Sequence, residues 1–316
     1  MRILLLGRDG QLGRAVMQTL TCNKAVASPD DITAWWRADL DLFDLELLGE
    51  RLDALRPTLL INAAAYTQVD EAQTQVELAH RINAQVPEVL AQYAHQVGAT
   101  LMHYSTDYVF AGDRVSGYSE SDACTPINVY GESKYAGELA IQRIFAARKP
   151  HPMARYAIFR TSWLYGEGNN FIRTIMQLAR SKSELRIVSD QWGVPTSAHW
   201  LADISLALII QASHQGLEIQ SFESGIYHAV PDGQTNWFGL AQVAIASALR
   251  REMSLQVPSI AAIIPITSDQ MPRPAKRPAY SVLQNARLKA ECERLGLDQT
   301  FPPWQDLVDT YVQSLQ

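Results

Sequence analysis

The chain is poor in cysteine, and the three it has do not form a framework. Cys22, Cys124 and Cys292 lie far apart, and none stands in a CxxC pair or beside a histidine at ligand spacing. Scattered thiols in odd number exclude a disulfide scaffold and a structural zinc site, and they suit a reducing compartment. Runs of Lys and Arg are also missing. With 27 basic and 33 acidic residues the net charge is −6, so no basic face offers itself to nucleic acid. Long apolar runs are missing as well. The opening Met1-Arg2-Ile3-Leu4-Leu5-Leu6-Gly7 breaks at Gly7, too soon for a signal h-region, and no later run approaches membrane-spanning length. Charged residues make up only 19% of the chain and apolar ones 47%, which excludes a disordered or fibrous protein. What survives these exclusions is a soluble protein with no membrane or nucleic-acid partner, expected in the cytoplasm. Its 316 residues suffice for one large α/β domain or two smaller ones.

What is present is alternation. Short apolar runs at Ile3 to Leu6, Ala25 to Ala27, Leu59 to Asn62, Thr100 to Tyr104, Ala157 to Arg160 and Ile226 to Val230 read as strands. Between them, helical periodicity runs over Gln11 to Leu20, Val76 to Val97, Val129 to Phe145 and Ala198 to Ala212. Such alternation predicts an α/β fold, a Rossmann-type doubly wound parallel sheet with right-handed crossovers. After Trp163 the pattern loosens into a helix at Phe171 to Ala179, a strand at Leu185 to Val188, a Pro/Arg-rich loop and two short helical segments. The expected division is an NAD(P)-binding domain over residues 1–165, with returning elements at about 198–232, and a smaller C-terminal substrate-binding domain over 166–197 and 233–316.

Between the first strand and first helix, Gly7-Arg8-Asp9-Gly10-Gln11-Leu12-Gly13 has the spacing GxxGxxG. There Gly7, Gly10 and Gly13 would allow a tight turn, close backbone approach to a pyrophosphate and helix–strand packing, with helix amides facing the phosphates. Asp30 or Asp31, placed after the second strand, stands near the spacing of an acid that binds the adenosine ribose. Arg8 is a cation suited to a 2′-phosphate. The two oppose each other, so the cofactor can be NADPH or NADH, with weak discrimination expected. Asp39-Leu40 lies where a further segment could meet the adenine. Asn62-Ala63-Ala64-Ala65 ends a strand with small residues that would let a cofactor lie against the backbone.

Tyr130-Gly131-Glu132-Ser133-Lys134 sets a tyrosine and a lysine at i and i+4, on one face of a helix. A phenol titrates near 10, and a neighbouring ammonium makes it a better proton donor and acceptor at neutral pH. Tyr104-Ser105-Thr106-Asp107 ends the preceding strand, which places Thr106 to hydrogen-bond a substrate carbonyl beside Tyr130.

In this order, GxxGQLG, NAAAYTxVD, HYSTDYVF, VYGESKYAGE and RTSWLYG resemble the extended short-chain dehydrogenase/reductase family, and within it the dTDP-4-dehydrorhamnose reductase type. The resemblance runs over nearly the whole chain, including Asp190 to Thr196 and Arg277 to Leu283, and is weakest at 214–224 and 250–270. It implies hydride transfer from NADPH or NADH to the C4 ketone of a dTDP-sugar. Tyr130 would be the proton donor, Lys134 its partner and Thr106 the hydroxyl member. Thr106, Asp107 and Trp163 would hold the sugar. Gly10, Gln11, Leu12, Asp30, Asp39, Leu40, Ala63, Ala64, Ala65 and Tyr104 would contact the cofactor. Some family members bridge two subunits through a magnesium ion held by glutamates. The matching positions here are Ala15 and His199, neither a hard anionic ligand, so no metal is expected and a homodimer, if formed, would not need one.

Other candidates have bland readings beside them. Asn169-Asn170-Phe171 could present helix amides to a diphosphate or simply cap a helix. Arg273, Lys276 and Arg277 could neutralise a diphosphate or sit solvated in their loop. His199 and Asp203 share a helix face but lack a third ligand. An epimerase or dehydratase on the same fold would want a further acid, Glu132 or Glu138, and a non-catalytic NADP-binding regulatory subunit is the alternative of another class.

Overall fold

A computed structural model describes residues 1–22, 29–147, 151–210 and 221–316. Six parallel strands form its central sheet: β1 (Ile3–Leu6), β2 (Ile32–Trp35), β3 (Leu59–Asn62), β4 (Thr100–Thr106), β5 (Arg155–Thr161) and β6 (Gly225–His228), in spatial order β6-β5-β4-β3-β1-β2. β1 and β3 are buried at every position, as strands covered on both faces must be, and so read as unbroken apolar runs. Side chains alternate between the faces. Ile3 and Leu5 pack with Leu12 and Val16 of α1 (Gln11–Cys22) and Leu201 and Leu208 of a helix at Ala198–Ile210. Leu4 and Leu6 pack on the other face with Leu48 and Leu52 of α2 (Leu45–Leu55), Leu90 of α3 (Val86–Val97) and Ile141 of α4 (Val129–Phe145). The sheet is therefore doubly wound. Its order reverses at β1, with β2 on one side and β3 on the other, which opens a crevice at the carboxyl ends of β1 and β3.

A second hydrophobic core lies outside the sheet. It joins α5 (Phe171–Ser181), the later helix Trp237–Arg250, the C-terminal helix Trp304–Gln313 and the paired strands Leu185–Val188 and Ile263–Ile266. The tail is shared between the cores, because Leu288 and Cys292 of the helix Ala286–Arg294 pack into the sheet's core beside Tyr227. No described helix is long and apolar enough to cross a membrane.

Three elements differ from the sequence expectation. The strand expected at Ala25 to Ala27 lies outside the described residues, and the strand beside β1 is Ile32–Trp35. The helix expected over Val76 to Val97 is interrupted by a π turn at Arg81–Gln85. Pro87 sits at the start of α3 and has no amide for the Asn83 carbonyl four residues back. That carbonyl instead lies against Gly137 of α4, where any Cβ would collide with it. The helix expected to reach Ala212 is described as far as Ile210, and its last two positions lie outside the described residues.

Candidate active site

The glycine loop closes the crevice with backbone alone. Gly7 adopts φ +81°, and a Cβ there would stand 2.6 Å from the Ala64 amide nitrogen and 2.8 Å from the Ala63 carbonyl carbon. A Cβ on Gly13 would run into the Gly7 carbonyl, so both positions require glycine. Gly10 N–H donates to the Gly7 carbonyl and Arg14 N–H to that of Gly10, both at 3.0 Å. Among the described residues, the amides of Gln11, Leu12 and Gly13 meet no acceptor. An uncapped helix start at the switch point is what a pyrophosphate requires. The half-buried Ala63, Ala64 and Ala65 form the opposite lip. These features fit a dinucleotide.

The ribose end differs from expectation. Asp30 and Asp31 lie in a 3₁₀ turn, Pro29–Asp31, that precedes β2. Because β2 runs parallel to β1 with Ile32 beside Ile3, that turn lies at the amino edge of the sheet, opposite the glycine loop. The expectation rested on a strand ending before Asp30, and the strand begins after it. Trp36 comes directly after β2, and the Arg8 guanidinium covers its ring at 5.6 Å. Asp39 Oδ2 accepts from the Trp36 amide at 3.1 Å and fixes this turn, whereas Leu40 is buried against α2. Arg8 is half-exposed and pairs with Asp9 at 3.6 Å.

At the end of β4, Asn128 caps α4 by accepting from Gly131 N–H at 2.8 Å, which presents Tyr130 in the helix's first turn. Burial pushes the Tyr130 phenol up to about 12, with the neighbouring Thr106 hydroxyl opposing the rise and Asp107 adding to it. Thr106 Oγ1 donates to Asp107 Oδ1 at 3.0 Å and accepts from Tyr108 N–H at 3.2 Å. Asp107 is almost fully buried, and burial carries its carboxyl up to about 7 against hydroxyl donors from Ser281 and Thr106. Lys134 is 2% exposed and donates to the Tyr104 carbonyl at 2.6 Å. Burial lowers it to about 8, while Glu138 holds it up. The Tyr104 phenol turns away to Ser205 at 2.7 Å, so this residue serves the site through its backbone.

Sequence reasoning missed the residues that brace this centre. Asn83, carried on the π turn, accepts from Tyr66 N–H at 2.9 Å and donates to Ser133 Oγ at 2.9 Å; Ser133 donates in turn to the Tyr130 carbonyl at 2.8 Å. The Pro/Arg-rich loop folds over the site. Ser281 donates to Asp107, and Asn128 Nδ2 to the Lys276 carbonyl at 2.8 Å. Arg277 grips Asp70 with two bonds of 2.9 Å. Burial raises the Asp70 carboxyl, but Arg277 and the Ala275 amide outweigh it and hold the group below its ordinary value. Arg277 is thus engaged, and Asp70 of the NAAAYTxVD block is the signal that could have predicted it. Asn170 caps α5 and ties the Gly166 loop to Tyr311. Trp163, at φ 46°, stacks on Trp237 with centroids 3.7 Å apart and fills the space over Gly193. Glu138 is buried in an ion pair with Arg160 at 2.6 Å. Asp203 accepts from Thr19 of α1 at 2.7 Å, and Ala15 is buried in the core.

The family model described as RmlD substrate binding domain matches residues 1–316. The chain belongs to this family. Within it, the chain is 37% identical over 306 residues to a dTDP-4-dehydrorhamnose reductase of Escherichia coli, covering 96% of this chain and 95% of the relative. It is 36% identical over 316 residues to one of Burkholderia thailandensis, covering 100% and 99%. A crystal structure of a dTDP-4-dehydrorhamnose reductase from Clostridium acetobutylicum superposes with a TM-score of 0.84 at 34% identity over all of both chains. A Bacillus anthracis dTDP-4-dehydrorhamnose reductase in complex with NADP superposes with a TM-score of 0.80 at 31% identity, over 99% of each. RmlD-family membership thus joins the fold, the glycine loop and the Tyr130–Lys134 helix in one chain.

Proposed function

We propose that this chain is a dTDP-4-dehydrorhamnose reductase. It reduces the C4 ketone of dTDP-6-deoxy-L-lyxo-4-hexulose to dTDP-L-rhamnose with NADPH or NADH. The observation that carries the reading is the Tyr130–Lys134 helix at the carboxyl end of β4, where Lys134 is tied to the Tyr104 carbonyl at 2.6 Å, on the same sheet edge as an uncapped glycine loop. The nicotinamide, when bound, supplies the hydride. Tyr130, joined by Thr106 once its hydroxyl turns from Asp107 to the substrate, donates a hydrogen bond to the ketone oxygen as negative charge develops there, and Tyr130 gives up its proton to the alkoxide. A phenol raised to about 12 holds its proton until that charge appears, so donation is coupled to reduction. Lys134 lies one helical turn further on and is tied to the Tyr104 carbonyl.

The amides of Gln11, Leu12 and Gly13 would hold the pyrophosphate, with Gly7, Gly10, Ala63, Ala64 and Ala65 giving it room. Asp39 and Arg8 would border the adenosine. Asp107 and the Trp163–Trp237 stack would border the sugar. The sheet, with its returning elements, acts as the cofactor domain and the second core as the substrate domain. A dehydratase reading loses Glu138 as its second acid, because that carboxylate is locked to Arg160, and is left with Glu132, exposed on α4. The test is consumption of reduced nicotinamide, followed by absorbance, with a panel of nucleotide 4-keto-6-deoxysugars. One equivalent lost per dTDP-4-dehydrorhamnose reduced is expected; turnover without cofactor loss would point to an epimerase or dehydratase instead.

A further inference from the structure

We propose that Trp237 is a positioning residue for Trp163: its indole, anchored in the second core, clamps Trp163 in a left-handed backbone conformation at the sugar end of the site.

Trp163 follows the carboxyl end of β5 and has φ 46°. A side chain as bulky as indole enters that region only where its surroundings hold it there. Backbone bonds fix the chain around it. The Trp163 carbonyl accepts from Thr196 N–H at 3.3 Å. Ser162 Oγ donates to the Val194 carbonyl at 2.6 Å and accepts from the Val194 amide at 3.2 Å. The ring itself is placed by two neighbours. Trp237 lies nearly parallel to it, with 10° between the planes and centroids 3.7 Å apart. On Gly193, a Cβ would stand 2.6 Å from Trp163 Cε2, so the ring fills space that only glycine leaves. Aromatic pairs prefer an offset with centroids about 4.5–7 Å apart, so an overlap this close is imposed by packing.

Trp237 can impose it because it is itself fixed. It opens the helix Trp237–Arg250, which Asn236 caps by accepting from Gly239 N–H at 2.8 Å; Asn236 Nδ2 donates to the Ser189 carbonyl at 2.8 Å. The indole Nε1–H of Trp237 donates to Gln191 Oε1 at 3.2 Å, and Gln191 Nε2 donates to Ser268 Oγ at 2.8 Å. Phe171 of α5 packs on Trp237 with centroids 4.6 Å apart. The clamp thus belongs to the second core, and the clamped residue to the loop that leaves the sheet. Trp163 stays only half-buried, which leaves part of its ring for a ligand. On the reductase reading that ligand is the deoxysugar, and the seating of the second core sets where Trp163 meets it.

The first test needs neither cofactor nor substrate. The ¹³Cα and ¹³Cβ shifts of Trp163, which report backbone conformation, would be read in the ligand-free protein and identified by the signals lost in Trp163→Phe. Left-handed values are expected in the unmodified chain and in Trp237→Phe, which keeps a flat face. In Trp237→Ala they should move toward extended values. Left-handed values that persist there would overturn the clamp. Should the alanine variant not fold, Trp237→Leu removes the flat face while filling more of the space, and the same shift is expected.

The second test rests on the reductase reading. Calorimetric affinities for dTDP-L-rhamnose and dTDP would be compared, since their ratio isolates the sugar. Trp237→Ala should cut that ratio by about tenfold, as should Trp163→Ala. The double variant should be no worse than Trp163→Ala alone, because one residue acts through the other. Trp237→Phe should recover most of the ratio. An unchanged ratio in Trp237→Ala, or losses that multiply in the double variant, would overturn the proposal. If the unmodified protein shows no preference for dTDP-L-rhamnose, the reductase reading fails at the sugar, while the ¹³C shifts still decide the clamp.

Discussion

Two stretches of the same sheet edge solve their tasks by different means. At β1 and β3 the crevice is built from backbone: three free amides, a positive φ at Gly7 and small residues on the lip, all from two contiguous motifs. At β4 and β5 the centre is built from side chains delivered by distant segments, among them Asn83, Asn128, Lys134, Arg160 and Ser281. Backbone recognition tolerates most side-chain changes and fails only where a Cβ fills the space. A buried side-chain network fails at almost any member, because each loss strands a polar partner.

The comparison is sharpest at Tyr130. Tyr130→Phe should lower kcat by about 10²–10⁴-fold while leaving the dissociation constant for the nicotinamide cofactor nearly unchanged, since only the proton donor is removed. Near-normal turnover would remove Tyr130 from its role. The counterpart on the backbone side is Gly13→Val. Its side chain would meet the Gly7 carbonyl, and overpacking of about 1–3 kcal/mol should weaken cofactor binding roughly tenfold to a hundredfold. Calorimetric titration would read this, and unchanged affinity would mean that the loop does not hold the pyrophosphate.

Asp107→Asn separates the structural and chemical demands on the network. The carboxyl titrates at about 7 in the folded chain against an ordinary 3.8, because burial favours its neutral form. The stability that accompanies protonation is full below about 4 and is lost as pH rises through about 7. The variant does not titrate, so its melting temperature should exceed the wild type's by a margin that grows from pH 5 to 8, on the order of 2 kcal/mol in stability. A constant margin would show that Asp107 ionises freely.

A smaller effect is expected at Arg8. With Asp30 at the far edge of the sheet, Arg8 over Trp36 is not opposed by it, and NADPH should be favoured over NADH in place of the weak discrimination that sequence spacing suggested. Arg8→Ala should cut the ratio of affinities for 2′,5′-ADP and 5′-AMP by about tenfold, the value of one charge-assisted contact. A ratio that does not move would place Arg8 away from the ribose. The smallest effect is none at all. Treatment with EDTA should leave the initial rate unchanged, since the proposed proton and hydride transfers need no Lewis acid and neither Ala15 nor His199 offers a carboxylate. Loss of rate restored by magnesium would contradict this.

Local order was legible in the chain wherever function needs neighbours in sequence. Gly7 to Gly13, Tyr130 with Lys134, and Thr106 with Asp107 are spaced by the geometry of one turn, one helix face or one strand end, and the apolar runs of β1 and β3 announce burial on both faces. Tertiary structure alone decided the rest. The placement of β2 at Ile32–Trp35, after Asp30 and not before it, set Asp30 at the opposite edge, since which short apolar segment pairs with β1 is fixed only by its neighbours. The Pro87-driven π turn carried Asn83 to Ser133, 50 positions away. The fold of the tail joined Arg277 to Asp70 and Ser281 to Asp107. Those partners share no periodicity, and only burial, which makes an unpaired polar group costly, selects them from all the groups that could have met.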